Sequence, residues 1–514
     1  MTLIRPIIFA VVCFFCVFFL AGVSEARPYP GLAGGLIDRS RTEDPGFLAG
    51  SKALARYVMG LIYDNFVETR AAIAEYEKAL AQREDIAEIY LKLGTDFLLL
   101  GELDKAAGRL TEAVRVDPEN TKAYLLLAII HTAKGEFDKA QARHEKALQY
   151  DPENLKVLTF LSDLFVIQQK FDKAAEVYEK ILRIRDDDAL VYFNLGVIYS
   201  KLNLLGKAQE KLEKAVEMDK DYLEAQMVLG FIYEVDGKYA KAIDQYKKVT
   251  TIDPLNREAY VRLGQLYHRL GETGKAIAQN RTLMRLDTSS PEPYLRNFSI
   301  YVSEKEYGKA EDVLRKALRT GIPDAVIYAS LGYLAGLKKQ DKKAIDYYTL
   351  AVEREPANNR YRFYLAATMD HSGRREEGIK ILEEIVSGEC DLPEVYNYLG
   401  YIYAETGENL DRAIALIKKA LAIEPENGAY IDSLGWAYYK KGMLDEALEQ
   451  ISKAIEYLPE DPTIRDHLGD VYFAKGELEK AGLQWELALK LTPSNKKEVE
   501  KKMRRLRARI KWNK

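Results

Sequence analysis

The sequence predicts an all-α solenoid built from tandem helix pairs. Three observations predict it: a 34-residue period, two helical stripes inside each period, and small or helix-ending residues at fixed places in it. From Ala53 onward, similar units begin at residues 53, 87, 121, 155, 189, 223, 257, 291, 325, 359 and 393, and after one inserted residue at 428 and 462. Positions 4, 7, 8 and 11 of a unit are mostly apolar or small, as in Tyr90, Leu93, Gly94 and Phe97. That is the i, i+3, i+4, i+7 stripe of one helix. A second stripe follows at positions 20, 24 and 27, for example Ala242, Tyr246 and Val249.

The fixed residues say how the two helices meet. Position 8 is Gly, Ala or Ser in twelve of thirteen units, and position 20 is Ala in twelve. Small residues on both helices let their axes approach closely, since bulk on either one would hold them apart. Glycine stands at position 15 in eight units, including Gly101, Gly237 and Gly442, where it supplies the left-handed residue that ends the first helix. Proline at position 32, as in Pro118, Pro254 and Pro459, stops the second helix.

This pattern resembles the tetratricopeptide repeat family over residues 53–495. The resemblance implies about 13 helix-turn-helix repeats wound into a right-handed superhelix, each repeat burying its apolar face against its neighbours. Asn297 and Phe298 replace the usual Leu-Gly, and Gly378 replaces alanine, so the repeats at 291 and 359 are expected to be weak joints.

Composition agrees with a folded helical chain. Of the 514 residues, 30% are charged and 47% hydrophobic, and a net charge of -4 provides no general attraction to nucleic acid. The ends differ from the array. Residues 1–26 read as a secretory signal, with Arg5 before an apolar run over residues 7–23 and Ser24, Glu25 and Ala26 at the cleavage positions. The alternative is a retained anchor, because the run is at the lower limit for a hydrocarbon layer of roughly 30 Å. Cys13 and Cys16 lack the small-residue context of a lipid attachment site, and beyond residue 26 the chain contains one cysteine, Cys390. Residues 27–52, rich in Pro and Gly, read as a flexible leader. Residues 495–514 read as a basic capping helix with Val499, Met503, Leu506 and Ile510 on one face. Its outer face suits either solvent or, on a second reading, peripheral contact with anionic lipid.

Catalytic patterns are missing, and the chain is read as a non-enzyme with no cofactor and no metal. The five histidines fall at unrelated repeat positions. His144-Glu145 begins like a zinc-protease motif but has Leu148 where the second histidine belongs. Gly271, Gly274 and Lys275 imitate a phosphate loop with the wrong spacing, and Ala276 replaces the magnesium-binding hydroxyl. His467 on its helix points away from the face shared by Asp466 and Asp470, against a metal site there.

What remains is a binding surface. The family resemblance implies that first helices line a concave groove whose contacts come chiefly from positions 2, 5, 9, 12 and 13. Positions 5 and 9 hold Tyr57, Leu61, Leu91, Leu125, Ile129, Phe193, Val197, Met227 and Phe231, and later Tyr333, Phe363, Tyr401 and Trp436. These side chains are expected either to meet a partner or to pack inside the superhelix. The last repeats add Asp432, Asp466 and Asp470, an acidic wall suited to a basic or hydrogen-bond-donating segment. No repeat carries the Lys and Asn pair of the family's carboxylate clamp, which disfavours docking of chaperone tails. The words Asp432-Ser433-Leu434-Gly435-Trp436 and Asp466-His467-Leu468-Gly469-Asp470 resemble those of bacterial envelope repeat proteins, some of which present substrates to processing proteases. The expected function is a protein-binding adaptor, periplasmic or membrane-associated in a Gram-negative bacterium, with one or more cell-envelope proteins as partners. The alternative is a structural subunit of a secretion, pilus or exopolysaccharide export machine.

Overall fold

A computed structural model describes residues 45–512 except Pro323, Glu389, Thr492 and Pro493. The expected signal and most of the expected leader lie outside the described residues. The described residues form helices in sequential pairs, with no strand. They divide into two compact units, one ending at Ala259 and one beginning at Tyr260. Within each unit the paired helices pack chiefly on one another and then on the next helix along the chain.

The small residue at position 8 has a specific side chain opposite it, that of position 24, and the backbone at position 20 passes close by as well. A β-carbon added to Gly230 would lie 2.6 Å from the ring of Tyr246, and one on Gly94 would lie 2.5 Å from Leu110. The same relation joins Gly196 to Leu212, Gly400 to Ile417 and Gly332 to Tyr348, each closer than 3.0 Å. Tyr246, Leu110 and Leu212 are themselves fully buried. Each hairpin is therefore a large side chain laid on a bare stretch of backbone, the alternation of large and small that fills a helix interface to interior density.

The two suspect repeats are accommodated. A β-carbon on Gly378 would lie 2.6 Å from the carbonyl oxygen of Ala366, so the glycine permits a closer backbone approach than alanine allows. In the repeat at 291, Phe298 joins Tyr294, Tyr301, Leu314 and Leu331 in one apolar cluster. Asn297, only 2% exposed, accepts a 2.8 Å hydrogen bond from the buried Asn280 side chain. Both departures from the repeat pattern thus have a packing reason.

The turn between paired helices requires a left-handed residue in every repeat. Glycine fills it eight times, at φ of 72–86°. In the five repeats without it, Val67, Gln169, Asn203, Lys305 and Lys339 take the same conformation at φ of 56–61°, at a cost of about 1–2 kcal/mol each. The proline at position 32 is followed two residues later by an N-cap. Asn120, Asn154, Asn358 and Asn427 accept hydrogen bonds from the backbone of the helix they open. The inserted residue near 409 is absorbed where Asn409 turns left-handed at φ 50°, ahead of helix Leu410–Ile423.

The ends correct one boundary. The first helix runs over Pro45–Asn65, so the last eight residues of the expected leader are helical. At the other end helix Lys496–Trp512 buries Val499, Met503 and Leu506 against Ala481 and Trp485, as a capping helix should. The side chain of Ile510 lies outside the described residues. No helix among the described residues is long and apolar enough to cross a membrane.

Candidate protein-binding surface

In the unit ending at Ala259, the predicted groove residues fall into two groups. Leu91 and Leu125, each 4% exposed, are core: Leu91 joins Ile89, Leu93 and Leu110, and Leu125 joins Tyr124, Ala147 and Val157. Successive repeats enclose both, so neither is open to a ligand. Tyr57, Leu61 and Ile129 are half-buried against the same clusters, Tyr57 with its ring 5.8 Å from that of Tyr76. Phe193, Val197 and Met227 are half-buried, and Phe231 is 45% exposed. Phe193 leans on Tyr222 with ring centroids 5.0 Å apart. These four residues, from two successive first helices, form a partly exposed apolar row in this unit.

In the unit beginning at Tyr260, Tyr333 is 50% exposed, while Phe363 packs edge-on against Tyr398 at 5.5 Å. Tyr401 is half-buried, and burial, then Glu405 and Asp432, push its hydroxyl up to about 12.

The acidic wall is not an open charge. Asp432, Trp436 and Asp466 are buried and Asp470 is half-buried, because each has a partner within the chain. His467 Nδ1 stands 2.9 Å from Asp432 Oδ2, and the His467 ring stacks on Trp436 at 4.0 Å, with Tyr439 on Trp436 at 5.0 Å. Trp436 Nε1 donates to Glu405 at 3.3 Å. Lys502, reaching back from the terminal helix, binds Asp466 at 2.8 Å and Asp470 at 2.6 Å, and the Asn495 amide donates to Asp466 at 2.8 Å. Burial opposes charging His467 and Lys502, but the facing aspartates outweigh it and raise both pKa values above their ordinary range.

The surface that stays open here is a cavity of about 250 Å³ lined by Asn397, Tyr398, Tyr401, Asp432, Ser433 and His467. Asn397 Oδ1 is buried in its wall without a hydrogen-bond partner. Tyr398 donates to Asp370 at 3.0 Å, which fixes its ring at the rim. Sequence reasoning did not assign Tyr398 or Ser433 to a site, and it weighed His467 only as a metal ligand. Their signal was present, since they occupy position 6 of three successive repeats, but polar residues at that position look solvated until the neighbouring repeat is placed.

The remaining titratable groups of interest are structural. His144, 1% exposed, occupies position 24, the place of Tyr246 in its own repeat, and burial depresses its pKa to about 4. Gly271 is a left-handed turn residue, and Lys275 pairs with Glu272. The Cys390 thiol is half-buried, donates to the Leu392 carbonyl at 3.7 Å, and is raised in pKa by burial, which lowers its reactivity. Among the described residues no group of three His, Cys, Asp or Glu side chains is placed to hold a metal ion.

Asp96 is the exception within the core. It stands at position 10, where other repeats bury Ile130 or Leu164, and is 3% exposed with Oδ2 unpaired. Burial, reinforced by Asp64, pushes its pKa up to about 7. A folded pKa above the unfolded value means stability is full below about pH 4 and declines as pH rises through 7. Asp96→Ile is therefore expected to stabilise the first repeats at pH 8 by about 1–3 kcal/mol, and far less at pH 4.5. Hydrogen exchange of residues 69–110 at the two pH values measures the difference, and equal protection gains would contradict the assignment.

Residues 97–144 and 131–195, and residues 189–222, 258–288, 325–358 and 393–427, match family models described as tetratricopeptide repeat. Residues 236–271 and 435–476 match one described as TPR repeat. Together the matches span more than half of the chain. No curated protein matches it. Among solved structures, the APC/C hetero-tetramer Cut9-Hcn1 is 16% identical over 90% of this chain and 97% of that one, with a TM-score of 0.41. Naa15/Naa10 bound to HypK-THB is 18% identical over 85% of this chain and 68% of that one, TM-score 0.43. PilF of Pseudomonas aeruginosa is 20% identical over 42% of this chain and 97% of that one, TM-score 0.33.

Proposed function

The chain belongs to the tetratricopeptide repeat family, and from that premise we propose that it is a non-catalytic adaptor of the bacterial cell envelope. Its first helices hold segments of envelope proteins, and one such segment is a substrate presented to a periplasmic protease. The observation that carries the binding role is the partly exposed row of Phe193, Val197, Met227 and Phe231. In these repeats positions 7 and 24 fill the core with Leu195, Leu212, Leu229 and Tyr246, and the row lies beside it. An aromatic row beside a satisfied core is the usual composition of an anchor site. The cavity near Asn397 adds a place for a hydrogen-bond donor of a bound segment. The envelope assignment is supported by the apolar run over residues 7–23 with small residues after it, and by a single cysteine beyond residue 26.

Phe193→Ala with Phe231→Ala is expected to leave helix content nearly unchanged and to weaken partner capture by about 2 kcal/mol, roughly thirty-fold. Cross-linking in intact cells, followed by purification from the envelope fraction, measures it. Tyr192, half-buried at position 4, is a weak stability control, and Tyr246 is the sharper one. A double variant that captures its partners normally would remove this row from the binding surface. Recovery of pilus or polysaccharide-export subunits without a protease would replace the adaptor reading with that of an assembly subunit.

A further inference from the structure

The last repeats join one another through a recurring polar contact. Position 5 of a first helix presents an acceptor, and the chain one repeat later supplies its donor. Asp466 takes Lys502 at 2.8 Å and the Asn495 amide at 2.8 Å, both from residues 495–502. Asp432 takes His467, at position 6 of the next repeat, at 2.9 Å. Both carboxylates are buried, and each is paired, as a buried charge must be.

One repeat earlier the same contact is incomplete. Asn397 stands at position 5 of the repeat at 393, and position 6 of the following repeat is Ser433. The serine hydroxyl lies one bond beyond its β-carbon and donates at 2.9 Å to the Ala429 carbonyl of its own helix. Asn397 Oδ1 is left buried with no hydrogen-bond partner among the described residues. Where an imidazole stands in the next seam, this one has a cavity of about 250 Å³, several times the ~30 Å³ share of one water. A buried acceptor without a donor is costly, and the fold keeps this one at the wall of a space large enough for a side chain.

The chemistry of the wall selects the ligand. The hydroxyls at position 6 offer it no proton, since Tyr398 donates to Asp370 at 3.0 Å and Ser433 to Ala429. Acceptors are present in Asn397 Oδ1, the Asp432 carboxylate and Asp461, which caps the next first helix at 2.7 Å from the Thr463 amide. Tyr398 and Tyr401 add aromatic rings to the lining. Acceptors beside aromatic rings suit a cation that carries only donors. An ammonium meets that description with three donors on one atom. The chain itself supplies one in the last repeat, where Lys502 binds Asp466 and Asp470. We propose that the cavity takes the ammonium of a lysine in the bound segment, an inference that rests on the binding role proposed above.

The probe is Nα-acetyl-lysine methylamide, titrated into the full chain and followed by saturation-transfer NMR. It is expected to bind saturably, with its Nε-acetylated form and the arginine analogue weaker by about tenfold or more, the loss typical of a charged hydrogen bond. Asn397→Asp should tighten the lysine probe severalfold, because a neutral acceptor becomes a charged one. Asn397→Leu should weaken it by about tenfold or more. Ser433→His should do the same by placing an imidazole where His467 stands in the next seam. Asn397 is partly exposed, so its variants keep the test decisive if Ser433→His does not fold. Equal binding of the acetylated or the arginine probe, or equal binding of the lysine probe to the parent and to Asn397→Leu, would overturn the proposal. A parent chain that captures envelope proteins yet does not bind the probe would overturn it too, and would leave the adaptor reading standing. One that binds the probe as expected but captures no envelope protein would uphold the lysine site and remove the adaptor reading.

Discussion

Tyr246→Ala is expected to cost about 3–5 kcal/mol, among the largest effects of any single truncation in the array. The ring is fully buried and rests on the bare backbone of Gly230, so its removal opens a void that no neighbouring side chain can enter without moving a helix. The reciprocal change, Gly230→Ala, places a β-carbon 2.6 Å from the ring and is expected to cost about 1–3 kcal/mol through overpacking. The chain itself suggests the repair, because Ala366 and Leu382 occupy the same two positions in another repeat and both are fully buried. Gly230→Ala combined with Tyr246→Leu should therefore cost less than the sum of the two single changes, as expected of residues in contact. Repeat arrays do not unfold as one unit, so the measurement is site-resolved hydrogen exchange over residues 223–252 rather than a single melting midpoint. Strict additivity would show that the two residues do not share a packing site.

Lys502→Met is the second large effect expected, at about 3–5 kcal/mol, because it removes the cation from two aspartates that cannot be resolvated. Asp466 is 2% exposed, and beside Lys502 its carboxylate accepts a hydrogen bond from the neutral Asn495 amide. The terminal helix should then detach, which limited proteolysis reads as early loss of residues 496–512. Adding Asp466→Asn and Asp470→Asn should restore much of the protection, since the cost lies in the uncompensated charge and not in the absent lysine. The neighbouring pair gives the pH dependence. His467 is held charged by Asp432, and its folded pKa lies above the unfolded value of about 6.5. Its contribution is full below that value and is lost as pH rises through the folded pKa. Protection of the last two repeats should fall on moving from pH 6 to pH 9 in the parent chain and much less in His467→Gln. Release of the terminal helix at the same pH in both would assign the change to another group.

Much of the fold is legible in the sequence because it is local. A helix hairpin of 34 residues is specified by its own stripe, turn and stop, and the period repeats that specification thirteen times. Gly101 and Gly237 declare a left-handed turn because glycine alone adopts it without strain. Lys305 and Lys339 do not declare it, yet the same turn is imposed on them by the packed helices on either side. The small residue at position 8 is equally visible in the sequence, but its counterpart is not, because the pairing with position 24 depends on the rotation of one helix against the other.

The candidate site was legible only as a face. Position within the repeat places Leu91, Phe193, Asp432 and Asp466 on first helices, and that is as far as local periodicity reaches. Whether each is open to a partner depends on what the next repeat, or the terminal helix, lays across it. Leu91 is covered by its neighbours, Asp466 by Lys502 and Asn495, and Asp432 by His467, whereas Phe231 stays 45% exposed. Thus the sequence alone determined the helix pairs, their boundaries to within a few residues, and the family, because these rest on contacts within about 34 positions. The tertiary structure decided which polar and aromatic side chains are spent on the chain itself, because those contacts join residues of different repeats through geometry that no single period encodes.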